Sequence, residues 1–255
     1  MHIVAIYNLP DHKDELAEAF AAALGTTVYE ARSRLRVQGN GPLVVASCQD
    51  REAAERIAAS LTSGGFDAIL LDQDEIEAGS AQFIVRKFRL DDEMLYVESG
   101  EGLNLTVDYR SIDLLLHGTS IAVKTESETL KKRKFSLGRA VLSGGLVMSR
   151  TNKITREIKN EEREGFFNLY SGSLPALVFR ESYLMYDSPG FALKPTRVAN
   201  FAYLIDELRQ RQPDAAFDDR LLRRAEQASL LGPLLSPEEF LNVAILLLAK
   251  LIRQV

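Results

Sequence analysis

The chain has 255 residues, 46% hydrophobic and 26% charged, with 31 basic against 36 acidic side chains and a net charge of −5. Those proportions exclude a wholly disordered chain and a collagen-like one, and a single cysteine excludes a disulfide scaffold. A chain of this length buries about 75% of the surface its unfolded form exposes, so it folds without a metal or a disulfide.

The opening MHIVAIYNLP has no basic leader or small-residue cleavage site, and His2–Asn8 reads as a first strand. Lys13–Leu24 follows as a helix, with Leu16, Ala19, Phe20, Ala23 and Leu24 at helical spacing, Asp11 as its cap and Gly25 as its stop. Val28–Val37 predicts a second short helix and Leu43–Cys48 a strand. Asp50 caps a third helix with the stripe Ala53, Ala54, Ile57, Ala58 and Leu61, Gly64-Gly65 ends it, and Phe66–Leu71 is a last strand. The order β-α-α-β-α-β, with helices on one face of three strands, predicts a two-layer α+β unit over residues 1–78.

Two stretches in this unit resemble the C-terminal domain of the bacterial ribosomal stalk protein over residues 1–72. They are Gly25-Thr26-Thr27-Val28-Tyr29-Glu30-Ala31-Arg32, and Glu52 through Leu61 to Gly65. The resemblance implies the fold. In that family lysines of the first helix engage translation factors; here the helix carries Asp14, Glu15 and Glu18 with Lys13 alone, so the factor-binding chemistry does not transfer.

A second unit is expected over residues 80–212. Phe83–Leu90, Met94–Glu98, Leu103–Tyr109, Ile112–Leu116 and Ile121–Lys124 read as strands of an antiparallel meander, parted by Asp91-Asp92, Ser99–Gly102 and His117-Gly118. A polar insertion, 125–164, precedes strands at Gly165–Tyr170, Ala176–Arg180 and Tyr183–Tyr186. Thr196 caps a closing helix over 196–211, apolar at Val198, Phe201, Leu204, Ile205 and Leu208. This succession of strands with one amphipathic helix resembles the pleckstrin-homology-like fold. In lipid-reading members, basic residues flank the first loop. Here Arg86, Lys87 and Arg89 precede the acidic loop Asp91-Asp92-Glu93, which does not suit a phosphorylated headgroup.

Charge is unevenly spread. Residues 1–79 carry net −7, whereas 131–159 carry net +8. Lys131, Lys132, Arg133, Lys134, Arg139, Arg150 and Lys153 are the candidate anion-binding residues, flanking the apolar Phe135, Leu137, Val141, Leu142, Leu146 and Val147. Such a pattern fits either a solvated insertion or a segment that docks on an anionic membrane or another polyanion. Nucleic acid fits less well, because only Phe135 could stack.

The tail, 213–255, is expected as a helical hairpin. Phe217–Ser229 reads as one helix, Gly232-Pro233 as its stop, and Ser236-Pro237-Glu238-Glu239 as the start of another. The second, FLNVAILLLAKLI, is apolar nearly all round and must be buried. It either packs within the chain or, through Phe240, Ile245, Leu248 and Ile252, forms a homodimer contact. The longest apolar run is too short to cross a membrane.

No phosphate-binding Gly-rich loop, nucleophile elbow or paired-histidine metal motif is present. His2, His12 and His117 read as edge or surface residues, and Cys48 as a buried, inert thiol. No catalytic residue, cofactor or metal is assigned. The sequence predicts an α+β protein of the cytoplasm that works by interaction, with a protein partner first and an anionic surface second. An enzyme whose site residues are scattered is the third reading.

Overall fold

β-Branched and apolar runs make the strands of the N-terminal sheet. In the computed structural model, which describes residues 1–9, 13–36, 41–78, 82–135, 149–172, 174–187 and 192–253, β1 (His2–Tyr7) lies between β2 (Leu43–Cys48) and β3 (Asp67–Leu71) and pairs antiparallel with both. A 3₁₀ turn (Lys13–Leu16) leads into α1 (Ala17–Leu24), followed by α2 (Val28–Leu35), α3 (Arg51–Ser63) and, after β3, a short α4 (Gln73–Ala78). Local capping acts as the sequence implies. Asp50 accepts from the N–H groups of Glu52 and Ala53, and Gly25 ends α1 at a positive φ. The Asp11 cap and His12 fall outside the described residues.

The larger sheet has seven strands in the order β10-β7-β8-β9-β4-β5-β6. They are β4 (Phe83–Leu90), β5 (Met94–Ser99), β6 (Asn104–Asp108), β7 (Ile112–Phe135), β8 (Ser149–Ser171), β9 (Leu177–Arg180) and β10 (Ala216–Leu221). The expected antiparallel sheet is in fact mixed: β4 runs parallel to β9, and β7 parallel to β10. Three helices complete the chain, α5 (Arg197–Arg211), α6 (Arg224–Leu231) and α7 (Pro237–Arg253). Thr196 caps α5 by accepting from Ala199 N–H at 3.1 Å.

Several elements differ from expectation. The turn at His117-Gly118 is absent, and β7 runs through it. Gly118 serves close packing instead: a Cβ there would lie 2.4 Å from the Phe166 ring and 2.8 Å from Leu221. Much of the insertion expected at 125–164 is strand, the continuation of β7 and β8. The helix expected over Phe217–Ser229 is β10 followed by α6, because Ala216, Phe217 and Asp218 pair with Leu114, Leu115 and Leu116 of β7. Tyr183–Tyr186 is not a strand: a turn over residues 181–183 is followed by a single bridge from Met185 to Lys87.

The chain divides into unit 1, Met1–Ser120 with Glu164–Val255, and unit 2, Ile121–Arg163. Unit 1 crosses the boundaries expected near residues 79 and 212, and its cores explain why. One core joins Phe83, Val85, Phe88, Val97, Phe167 and Phe179 of the larger sheet to Phe201, Leu204, Ile205 and Leu208 of α5. A second joins Val4, Ile6 and Val45 to Phe20, Ala31, Leu35, Ala54 and Leu61 of α1–α3. The third takes the opposite face of the small sheet (Ile3, Ala5, Val44, Leu71), α6 and α7, and Leu114, Leu116, Phe166 and Tyr170 of the larger sheet. The small sheet is therefore covered on both faces rather than one, which is why β1 is apolar at four consecutive positions instead of alternating.

Helix α7 meets the chain's own core. Leu248 is fully buried, and Phe240, Ile245 and Ile252 are partly buried against the same cluster. Fully burying a leucine side chain is worth about 1.5–3 kcal/mol, so Leu248 is committed to the chain's own core, while Phe240, Ile245 and Ile252 pack against it in part. Side chains tie α7 down as well. Lys250 Nζ lies 2.6 Å from Glu75 Oε1 and donates to the Leu70 carbonyl, and the Arg253 guanidinium bonds Asp113 and the Gly172 carbonyl.

Candidate functional site

A hollow of about 560 Å³ in unit 1 opens where the start of β4, the β5–β6 turn and the end of β9 converge. Strand alternation turns Phe83 and Val85 inward and leaves Ile84 outward on β4. The turn is built by Ser99, whose buried hydroxyl oxygen accepts from the N–H groups of Glu101 and Leu103, both at 3.2 Å. On the far wall Glu164 accepts from the Ser182 N–H and hydroxyl. Arg86 donates to the Tyr183 carbonyl, and its guanidinium lies 4.7 Å from the centre of that tyrosine ring.

Three of the protein's exposed large apolar side chains, Ile84 (36%), Leu103 (59%) and Tyr183 (37%), line this one hollow. Arg180 enters the same lining, exposed and without a carboxylate in ion-pair range among the described residues. The lining therefore combines apolar side chains with the Arg180 guanidinium and the carboxylates of Glu101 and Glu164, so its charge does not select an anionic ligand. The lining includes no histidine, cysteine or lysine. None of its residues stands out in the sequence, since they come from four separate stretches. The nearest signal was Ile84, an apolar residue at an outward position of an alternating strand.

A second cluster surrounds His117. The sequence places this histidine in a surface turn; it stands instead within β7, half-buried, with Phe201 and Phe217 ring centres 6.2 and 6.5 Å away. Burial holds the imidazole below its ordinary pKa. Asp219 and Asp206 pull it back up, and Arg209 pushes it down. Arg209 itself lies 4.0 Å over the Phe217 ring. His2 Nδ1 lies 3.5 Å from Asp72 Oδ1, and Cys48 is a free thiol, partly rather than fully buried, at the end of β2. Among the described residues no group of three His, Cys, Asp or Glu is placed to hold a metal.

The expected anion-binding residues fall in unit 2. The backbones of Lys131, Lys132, Arg133 and Lys134 belong to β7, and those of Arg150 and Lys153 to β8. Arg139 lies outside the described residues, as do the side chains of the other six. The structure thus assigns these six to neighbouring strands of one sheet, not to a loop. Unit 2 holds eleven basic and five acidic side chains, net +6, while unit 1 holds twenty and thirty-one, net −11. Among the described residues no helix is long and apolar enough to cross a membrane.

Compared with known proteins, no family model, no curated protein and no solved structure matches the chain.

Proposed function

We propose that this is an interaction protein that docks on an acidic membrane surface through the basic strands of unit 2. The observation that carries the reading is the division of charge: net +6 in the 43 residues of Ile121–Arg163 against net −11 in the remainder. Each Lys or Arg held near an anionic leaflet contributes about 1 kcal/mol, and apolar residues beside them reinforce the attachment. Phe135, Leu137, Val141, Leu142, Leu146 and Val147 supply that apolar content between the two basic runs. The acidic unit 1 is repelled by the same surface, which leaves unit 2 as the contacting part. Acidic lipid faces the cytoplasm, the compartment in which this reading places the protein.

Within the same proposal unit 1 is the scaffold. The β-α-α-β-α-β order of residues 1–78 supports a stalk-domain-like fold for the small sheet. The closing α5 against the larger sheet supports a pleckstrin-homology-like one, whereas the parallel pairings of β4 with β9 and β7 with β10 count against it.

Vesicle flotation tests the function. The full chain is expected to float with phosphatidylserine-containing vesicles at about 50 mM salt and to be released at about 500 mM, because exposed charges are screened. It is not expected to float with neutral vesicles. Reversing Lys131, Lys132, Arg133 and Lys134 to glutamate removes about 4 kcal/mol of attraction and adds repulsion, so affinity should fall by roughly a thousandfold or more. Absence of binding at low salt, or undiminished binding by the reversed variant, refutes the proposal. Retention on duplex DNA with no flotation assigns the basic strands to nucleic acid instead.

A further inference from the structure

Outer strands leave a row of N–H and C=O groups without sheet partners, and proteins blunt such edges with bulges, charged side chains or covering segments. Among the described residues unit 1 has four sheet edges, and three of them are blunted. At β2 the turn at Gly232 comes so close that a Cβ there would lie 2.6 Å from the Val44 carbonyl oxygen. At β3, Lys250 Nζ donates to the Leu70 carbonyl at 3.3 Å. At β10 the register with β7 breaks between Asp218 and Leu221, and Arg220 folds back onto Asp218.

The fourth edge, β6, differs. Its register with β5 is unbroken from Asn104 to Asp108, and its one charged side chain is Asp108 at the last position, with no lysine or proline within it. Asn104, Thr106 and Asp108 are exposed, and Leu103 immediately before them is 59% exposed. Two hydrogen bonds show which backbone groups point outward. Ser99 N–H donates to the Leu103 carbonyl at 2.8 Å, and Tyr109 N–H to the Glu93 carbonyl at 3.2 Å. In an antiparallel pair such bonds recur at every second residue. Leu105 and Val107 therefore turn their backbones to β5, while Asn104, Thr106 and Asp108 turn theirs to the open edge.

We propose that β6 is a homodimer interface, pairing antiparallel with β6 of a second copy about a two-fold axis at Thr106. Centred there, Thr106 faces Thr106 and Asn104 faces Asp108, each an outward-facing position; the Asp108 carbonyl also accepts from the Ser111 hydroxyl at 2.7 Å, so its bond to the second copy uses the oxygen's other lone pair. All five residues of the strand are paired in this register. Leu105 of each copy meets Val107 of the other on the side of the α5 core, extending that apolar face across the axis. Charge selects the same register. The Arg110 end of each strand runs toward the Glu101 end of the other, once on each side of the axis, while the Asn104 amide and the Asp108 carboxylate, which face each other, keep their local bonds to the Gly102 carbonyl and the Arg110 N–H. Recentring on Asp108 would set two carboxylates face to face, which like-charge repulsion disfavours. The contact is small by the standard of permanent complexes, so association depends on concentration. None of this involves the basic strands of unit 2, and the two proposals stand or fall separately.

Sedimentation equilibrium of the full chain from about 1 to about 200 µM tests it, alongside Thr106→Lys and Thr106→Pro. The lysine variant sets two ammonium groups across the axis, and the proline variant deletes an outward N–H that β5 does not use. The wild-type mass is expected to rise with concentration from 28.4 kDa toward twice that value. Both variants are expected to remain monomeric with unchanged far-UV circular dichroism. A wild-type monomer throughout the range, or a dimer that survives either substitution in a folded protein, overturns the proposal.

Discussion

Replacing Gly232 by alanine tests whether the C-terminal helices and the N-terminal sheet form one folded body. Gly232 follows α6 with φ +63° and ψ −167°, a region of backbone space that is essentially glycine's own and costs other residues about 1–3 kcal/mol. An added Cβ would also lie 2.6 Å from the Val44 carbonyl oxygen and 3.3 Å from Leu43 Cδ1. Val44 cannot simply retreat, because it is paired with Ala5 in the sheet. Overpacking of this kind costs about 1–3 kcal/mol more. The expected loss is therefore about 2–6 kcal/mol, a large part of the 5–15 kcal/mol typical of a domain. Gly25→Ala is the reference: its φ is also positive, but nothing lies within 4 Å of the added methyl, so about 1 kcal/mol is expected. Urea unfolding followed by far-UV circular dichroism and by tyrosine fluorescence should show one shared transition. Its midpoint should move by about 1–2 M for Gly232→Ala and far less for Gly25→Ala. Equal costs for the two variants would refute the close approach, and separate transitions for the two probes would refute the single body.

Leu248→Ala should lower the stability of the whole protein by about 2–5 kcal/mol, read from the same urea midpoint, because the side chain is fully buried in the core shared by both sheets. A cost below about 0.5 kcal/mol, the usual surface value, would mean that α7 is not packed there. His117 should make stability pH-dependent. Its folded pKa lies below the ordinary 6.5, so as pH falls past 6.5 the unfolded chain takes up a proton that the folded chain refuses. Stability contributed at this position is constant above 6.5 and declines as pH drops from 6.5 toward the folded pKa. His117→Gln should show a shallower loss than wild type between about pH 7.5 and about pH 5; identical slopes would refute the burial argument.

The features legible in the sequence are those whose cause is local. Asp50 and Thr196 cap the helices expected of them, and the Ser236-Pro237 step starts α7, because a cap needs only neighbours two or three residues away. Gly118 reads as a turn in the sequence because a glycine that admits a phenylalanine ring and a glycine that turns the chain look alike until Phe166 is in place. Phe217–Leu221 reads as helix in the sequence because the pairing with β7 that overrides its helical pattern reaches across about 100 residues. The apolar face of α7 was read as demanding burial, but what it covers was hidden, since Ile3, Ala5 and Leu71 lie far away in sequence. The hollow beside Arg180 has the same origin. Its residues are ordinary one by one and acquire meaning only when β4, β9 and the β5–β6 turn meet.

The small sheet has a consequence for biosynthesis. Lys250 reaches the carbonyl of a residue 180 positions earlier, and the helix that bears it covers Ile3, Ala5 and Leu71. At about 5–20 residues per second, translation takes about 10–40 s to travel from β3 to α7. For that interval the nascent chain can shield one side of its first three strands with α1–α3 while the other side stays wet and sticky. The half-built protein is thus the state in which a holdase would find its client, and a premature stop codon ahead of α7 would leave a product that clumps rather than one that merely lacks a tail.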